Sequence, residues 1–270
     1  MIEGKLNVDD GRLYYAISGK GDAVVLIHGN FNDHQIWNEQ IDSFSAHYKL
    51  IRYDLRGYGL SSTPTSSFSN VDDLKALIDT LKLHNVTLVG SSMGGSIAID
   101  FALAYRHLVK ALILVAPSIN GNSYPMNMMW QGTKNYINLR LKGRRKAIES
   151  FITNRFWEYV FPSQRKEAAR TKVIHNIKNS NNFCRFTPSL SVAVKPVAYI
   201  RLHEIIIPTL IIISDQDHPF NKQAAETLHI RLERSSKVTM QDCGHLPFVE
   251  APQEFNQVVL DFLSQRIESF

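Results

Sequence analysis

Short apolar runs recur along this chain, separated by stretches long enough to hold helices. Most runs are rich in Val, Ile and Leu and are the length of a strand rather than of a helix. Uninterrupted apolar strands are typical of a parallel sheet, because both of its faces are covered. The predicted strands lie at residues 13–17, 23–27, 50–53, 86–89, 111–115, 209–213 and 238–240.

Between these runs, apolar residues recur every three or four positions, which predicts amphipathic helices. One helix should span about 71–81 after a capping Ser69 or Asn70, and the last should cover 255–263. The alternation of strand and helix predicts an α/β fold with a doubly wound, mostly parallel sheet.

The alternation stops after Pro117. Residues 118–200 contain no convincing strand but several helical patterns, and many of their residues are aromatic. A structureless loop of this length would be unusual in a compact domain. We therefore expect an α/β core at 1–117 and 201–270 and an inserted helical cap at 118–200. Some cap aromatics could line an apolar acyl pocket, while most should hold the cap together and seal it to the core.

A glycine–serine turn, Gly90-Ser91-Ser92-Met93-Gly94, joins the predicted strand 86–89 to a helical pattern. In this context G-x-S-x-G is a nucleophile elbow, in which a tight turn holds the serine at positive φ with an exposed hydroxyl. The same letters can also form an ordinary turn. The assignment therefore depends on groups elsewhere that would activate Ser92.

A serine nucleophile needs a base to accept its proton and a carboxylate to orient that base. His245 follows the last predicted strand and precedes a helix that should begin near Pro252. Asp215 and Asp217 both follow the strand 209–213, and either gives the chain order Ser, Asp, His. Asp215 comes almost directly after the strand and can serve to terminate it. Asp217 is therefore the better candidate for the carboxylate that orients His245.

Acyl transfer also needs N–H donors for the oxyanion, each of which contributes about 3 kcal/mol. The backbone N–H of Met93, directly after Ser92, is one candidate. The other is the N–H of Asn30, on the loop after strand 23–27. His28 on the same loop leaves a buried strand, so we expect it to make structural hydrogen bonds rather than to act as the base.

The composition of the chain is that of a globular protein and argues against a membrane-spanning, secreted or disulfide-rich one. The chain has 270 residues, 44% hydrophobic and 20% charged, with a net charge of +5, which is ordinary for a globular protein. It has no apolar run near the roughly 18 residues of a membrane span and no secretory apolar region at its start. With two cysteines, Cys184 and Cys243, no disulfide framework is expected, and a cytoplasmic location is the default. The basic segment 140–146 is best explained as a solvated helix face, and no cofactor, metal, nucleic acid or membrane partner is expected.

Several segments together resemble the α/β-hydrolase fold superfamily, specifically small cytoplasmic serine hydrolases of the carboxylesterase type with a helical cap. The resemblance implies a nucleophile at Ser92, a base at His245 and an acid at Asp217, with a purely structural turn at 54–61. The family's acid is usually fourth in a Gly-x-x-Asp turn, and here Ser214 replaces the glycine. The matching segments are His28-Gly29, DLRGYGLS at 54–61, GSSMGG at 90–95, Pro208-Thr209-Leu210 with Asp217, and Gly244-His245 with Glu250 and Pro252.

The chain also resembles the meta-cleavage-product C–C hydrolases, which usually carry asparagine where this chain has Ser91. Ser92 excludes the haloalkane dehalogenases and epoxide hydrolases, whose nucleophile is an aspartate. We expect a serine hydrolase that cleaves a small apolar ester or related acyl compound through an acyl-enzyme. Two alternatives remain: C–C hydrolysis of a β-diketone-like substrate, and a low-turnover ligand receptor or signalling protein on a hydrolase scaffold.

Overall fold

An eight-stranded sheet forms the centre of the molecule. The computed structural model describes residues 1–183 and 186–267, the last three by their backbone. The strand order is β1-β2-β4-β3-β5-β6-β7-β8, in which β1 and β2 run antiparallel to their neighbours and the other strands are parallel. All seven predicted strands are confirmed. The strands are β1 (Ile2–Val8), β2 (Gly11–Ser18), β3 (Ala23–Ile27), β4 (Lys49–Tyr53), β5 (Val86–Ser91), β6 (Val109–Val115), β7 (Thr209–Ser214) and β8 (Ser235–Met240).

Helices cover both faces of the sheet, as the alternating pattern predicted. Successive residues of β3 enter opposite apolar clusters: Val25 and Ile27 join one, and Val24 and Leu26 join the other. Ser69 caps α2 by accepting a hydrogen bond from the N–H of Asp72. The helices are α1 (Ile41–Ser45), α2 (Asn70–Thr80), α3 (Met93–Ala104), α4 (Met126–Thr153), α5 (Glu167–Lys178), α6 (Pro219–Arg231), α7 (Pro247–Glu250) and α8 (Pro252–Ile267).

The helical segment between β6 and β7 packs onto the sheet domain through aromatic side chains. Its long helix α4 is interrupted at Gly143, where φ is 77° and ψ is 166°. Phe31, on the loop after β3, lies 4.7 Å from the ring of Phe151 and 4.9 Å from that of Phe183. Residues 140–146 are exposed, as expected of a solvated helix face. This segment lies within the range 118–200 that we propose as the cap.

None of the helices in the described ranges is both long and apolar enough to cross a bilayer. Cys243 is a buried free thiol. Its potential partner in a disulfide, Cys184, lies outside the described residues.

Candidate active site

Ser92 lies in the tight turn between β5 and α3. Its backbone has φ 53° and ψ −115°, a conformation that costs a residue other than glycine about 1–3 kcal/mol. A Cβ at Gly90 would lie 2.3 Å from the carbonyl oxygen of Gly94, and a Cβ at Gly94 would lie 2.2 Å from that of Ile27. Both glycines are therefore required for α3 to approach the sheet this closely, and Ser92 has the positive φ that the sequence predicted for this turn.

Hydrogen bonds fix the backbone on both sides of Ser92. Its N–H donates to the carbonyl of Val115 at 2.9 Å. Its carbonyl accepts from the N–H of Gly95 at 3.0 Å and from the N–H and hydroxyl of Ser118 at 3.1 and 3.2 Å. The end of β6 therefore fixes the N–H of Ser92, and the loop after β6 fixes its carbonyl.

A buried aspartate–histidine pair lies at the carboxyl end of β7 and β8. Nδ1 of His245 lies 3.0 Å from Oδ2 of Asp217, and both side chains are nearly inaccessible to water. Oδ1 of Asp217 also accepts from the N–H of His218 at 2.6 Å and from Nδ2 of Asn221 at 2.7 Å. Asp215 is exposed instead, and its carboxylate accepts from the N–H of Cys243 at 3.2 Å. The structure therefore brings Asp217, and not Asp215, to His245.

The surroundings of His245 favour its protonated form. Burial opposes the positive charge, but the charge and hydrogen bond of Asp217, together with the charge of Glu250, outweigh it and raise the pKa of His245. The loop itself is fixed at two points. The N–H of His245 donates to the carbonyl of Tyr159 at 3.0 Å, and the N–H of Gly244 donates to Oε1 of Glu250 at 3.0 Å.

Ser92, Met93 and Asn30 line one cavity of about 320 Å³. Among the hydrogen bonds of the described residues, none uses the N–H of Asn30 or of Met93, so both remain available to a ligand. The side chain of Asn30 accepts from the hydroxyl of Tyr58 at 2.6 Å, and its carbonyl accepts from Nδ2 of Asn32 at 2.9 Å. Within the described ranges no hydrogen bond joins Ser92 Oγ to His245, which is common in unliganded sites.

The lining of this cavity is more polar than the sequence led us to expect. Tyr124 is the one aromatic residue among the described lining residues, while the cap aromatics Phe151, Phe161 and Phe183 are buried in the apolar core. None of the described lining residues is Lys, Arg or His. The polar lining side chains besides Asn30 and Ser92 are Asn70, Ser96, Asp100, Ser118, Asn120, Asn122 and Ser191.

His28 makes structural hydrogen bonds, as expected. Its Nδ1 donates to the carbonyl of Gly29 at 2.8 Å, and its Nε2 accepts from the N–H of Leu55 at 3.0 Å. Burial lowers the pKa of His28, which agrees with a neutral ring that accepts at Nε2. The imidazole thus joins the loop after β3 to the turn 54–61, where Arg56 forms a buried ion pair with Asp73.

Asp33, His34 and Asp54 carry donor atoms within 4.8 Å of one another, a grouping that can hold a cation. Oδ1 of Asp54 accepts from the N–H of His34 at 2.7 Å and lies 2.8 Å from its Nδ1, while Oδ2 accepts from the N–H of Leu60 at 2.8 Å. Asp33 accepts from the side chain of Asn176 at 2.7 Å. Hydrogen-bond donors of the protein therefore already satisfy the buried carboxylates of Asp33 and Asp54.

Four residues at the site were not assigned a role from the sequence. Asn221 lies one helical turn after Asp217, a spacing that could have indicated contact. Ser118 follows the end of β6, at the sheet edge where ligands bind. Asp100 is a single carboxylate in the apolar stretch of α3, which is itself a signal. No local pattern indicates the contact of Tyr58 with Asn30.

Comparison with known proteins relates most of the chain to proteins of the α/β-hydrolase fold. A family model described as the alpha/beta hydrolase fold matches residues 22–252. A Bacillus subtilis (strain 168) protein, provisionally named a 2-succinyl-6-hydroxy-2,4-cyclohexadiene-1-carboxylate synthase, is 30% identical over 96% of this chain and 97% of its own length. The 2-hydroxy-6-oxononadienedioate/2-hydroxy-6-oxononatrienedioate hydrolase of Paraburkholderia phymatum is 30% identical over 94% of this chain and 91% of its own length. A thermophilic esterase from Thermogutta terrifontis superposes with a TM-score of 0.83, at 23% identity, over 98% of this chain and 99% of the esterase, which shows a shared fold.

Proposed function

Since the chain belongs to the α/β-hydrolase fold family, we propose that it is a serine hydrolase that cleaves a small carboxylic ester through an acyl-enzyme. The observation that carries this proposal is the 3.0 Å contact between Asp217 and Nδ1 of His245, on a sheet whose elbow holds Ser92 at positive φ. That contact keeps the Nδ1–H tautomer, so Nε2 is left free to accept a proton.

The reaction proceeds in two halves. Ser92 Oγ attacks the ester carbonyl while His245 takes its proton, and the N–H groups of Asn30 and Met93 stabilise the oxyanion. His245 then protonates the leaving alcohol, and the acyl group remains on Ser92. A water molecule deprotonated by His245 attacks the acyl-enzyme, which releases the acid and restores the serine. Asp217 stabilises the imidazolium in both halves.

C–C hydrolysis is the second candidate, because several relatives at 28–30% identity are named 2-hydroxy-6-oxononadienedioate/2-hydroxy-6-oxononatrienedioate hydrolases. The ending "dioate" denotes a substrate with two carboxylates. The cavity beside Ser92 has no Lys or Arg among its described lining residues to bind such groups. We therefore favour an ester over a dicarboxylate diketone.

The test is a steady-state screen of purified protein against aryl esters of graded acyl length, beside a diketone substrate. We expect sustained ester turnover that is lost in Ser92→Ala and kept in Ser264→Ala, an exposed serine on α8. Cleavage of the diketone alone would favour the C–C reaction. An acyl-enzyme burst without steady-state turnover would favour the receptor alternative, and unchanged turnover in Ser92→Ala would contradict a serine mechanism.

A further inference from the structure

The cavity beside Ser92 is also lined by a buried carboxylate, that of Asp100. Met93, Ser96, Ile97 and Asp100 follow one another at helical spacing, and all of them line the cavity. Asp100 lies eight residues after Ser92, so at 1.5 Å per residue the two positions are roughly 12 Å apart along α3. An extended acyl chain bound to Ser92 would need to span roughly this distance to bring its end to Asp100.

Few groups within the protein compensate the charge of Asp100. Its carboxylate receives hydrogen bonds from one amide nitrogen, Nδ2 of Asn120, at 3.3 and 3.2 Å, and that nitrogen also donates to the carbonyl of Val194 at 2.9 Å. No ion pair involves Asp100 among the described residues. The guanidinium of Arg201 acts on it from a distance and is bound to Glu204 at 2.7 Å.

Burial without a cation in contact is costly for a carboxylate, and such groups are concentrated at functional sites. Burial raises the pKa of Asp100 to about 6, so the group is mostly ionised above neutral pH. A ligand that supplies a positive charge with several N–H donors would satisfy it, and a primary ammonium does both.

The acyl part of the substrate is the part that this cavity can hold. In the proposed mechanism His245 protonates the leaving alcohol, so the alcohol must face His245. His245 is not among the lining residues of the cavity, which begins instead at Ser92 and the two oxyanion donors. The chain on the acyl side therefore extends toward Asp100.

We propose that Asp100 is a specificity-determining residue that binds a primary ammonium group at the far end of the substrate's acyl chain. This inference rests on the proposed function for its direction in the cavity. The ammonium group distinguishes the proposed substrate from an entirely apolar acyl compound and from the dicarboxylates for which the relatives are named.

The test compares p-nitrophenyl 8-aminooctanoate with p-nitrophenyl nonanoate, in which a methyl group replaces the ammonium, at about pH 8, where both charges are present. We expect the wild-type kcat/KM to favour the amine by about 10- to 100-fold, the range expected for a hydrogen-bonded charge. In Asp100→Asn the ratio should fall to near unity. In Asp79→Asn, an exposed aspartate on α2, it should not change. Each ratio is taken within one variant, so a loss of folded protein cancels.

A second measurement separates this inference from the proposed function. The affinities of wild type and Asp100→Asn for 8-aminooctanoate and nonanoate are measured by calorimetry, which needs no turnover. Preference for the amine in wild type, lost in Asp100→Asn, supports the inference even if no ester is cleaved. Ester turnover without any preference for the amine overturns the role of Asp100 and leaves the serine hydrolase intact.

Discussion

At the scale of single residues, mutation can test directly whether Asp217 or Asp215 is the carboxylate that orients His245. Asp217 contacts His245, whereas Asp215 is exposed and accepts a hydrogen bond from the backbone N–H of Cys243. We expect Asp217→Asn to lower kcat by about 10⁴-fold, because the imidazole then takes the wrong tautomer. Asp215→Asn should lower it by about tenfold or less. Measuring kcat for both variants on one aryl ester decides the matter, and the opposite ranking would make Asp215 the acid.

The raised pKa of His245 also predicts a pH dependence. A general base acts only when it is neutral, so activity falls as the pH drops through its pKa. Because Asp217 and Glu250 raise that pKa, the lower limb of kcat/KM should lie above the usual value for histidine of about 6.5. A pH profile on a short aryl ester measures it. A limb at or below the ordinary value would contradict the electrostatic description of the site.

Some residues of the candidate site could be predicted from the sequence and others could not. Ser92 could be singled out because it follows β5, a strand whose apolar pattern is clear, and His245 because it lies on the loop after the last predicted strand. Asp217 could be preferred to Asp215 only from its position further along the loop and from the family resemblance, since both follow the same strand. The contact of Tyr58 with Asn30 joins residues on two irregular loops, and no periodicity carries that information.

At the scale of elements, the crossing of α3 over the sheet determines how Ser92 is presented. A Cβ at Gly94 would lie 2.2 Å from the backbone oxygen of Ile27, which cannot move without shifting β3. We expect Gly94→Ala to lower the free energy of unfolding by about 1–3 kcal/mol. The control is Gly132→Ala in α4, where no atom lies within 4 Å and alanine should raise it by about 0.5–1 kcal/mol. Denaturant unfolding of both variants tests this, and equal effects would contradict it.

The strands that the sequence revealed most clearly are those that are buried on both sides. The parallel strands from β3 to β7 are mostly apolar, so their positions are visible in the pattern. β1 was not predicted. It lies at the edge of the sheet, pairs with one neighbour and is largely exposed, so its sequence has no continuous apolar run. β8, at the other edge, is only partly buried, and its first half was missed for the same reason.

At the scale of the whole molecule, a buried carboxylate links the loop after β3 to the helical segment after β6. Asp33 accepts hydrogen bonds from Asn176 at 2.7 Å, Asn182 at 2.9 Å and Asn179 at 3.2 Å. These partners are 143 to 149 residues away in sequence, so no local pattern could predict them.

We expect Asp33→Ala to lower the free energy of unfolding by about 3 kcal/mol, because it leaves buried amide donors without an acceptor. Asp79→Ala, which breaks only an exposed pair with Lys75, should cost under about 0.5 kcal/mol. Thermal or denaturant unfolding of the two variants provides the comparison. Similar losses in both would show that the Asp33 network does not hold the two parts together.

In the proposed mechanism Ser92 becomes covalently bound to the acyl group, and active-site labelling detects such a nucleophile. The protein is treated with a fluorophosphonate, which phosphonylates an activated serine, and the modified peptide is identified by mass spectrometry. We expect one adduct, on Ser92, in wild type and in Ser264→Ala, and none in Ser92→Ala. An adduct on a different residue, or labelling of Ser92→Ala at the wild-type rate, would contradict the account.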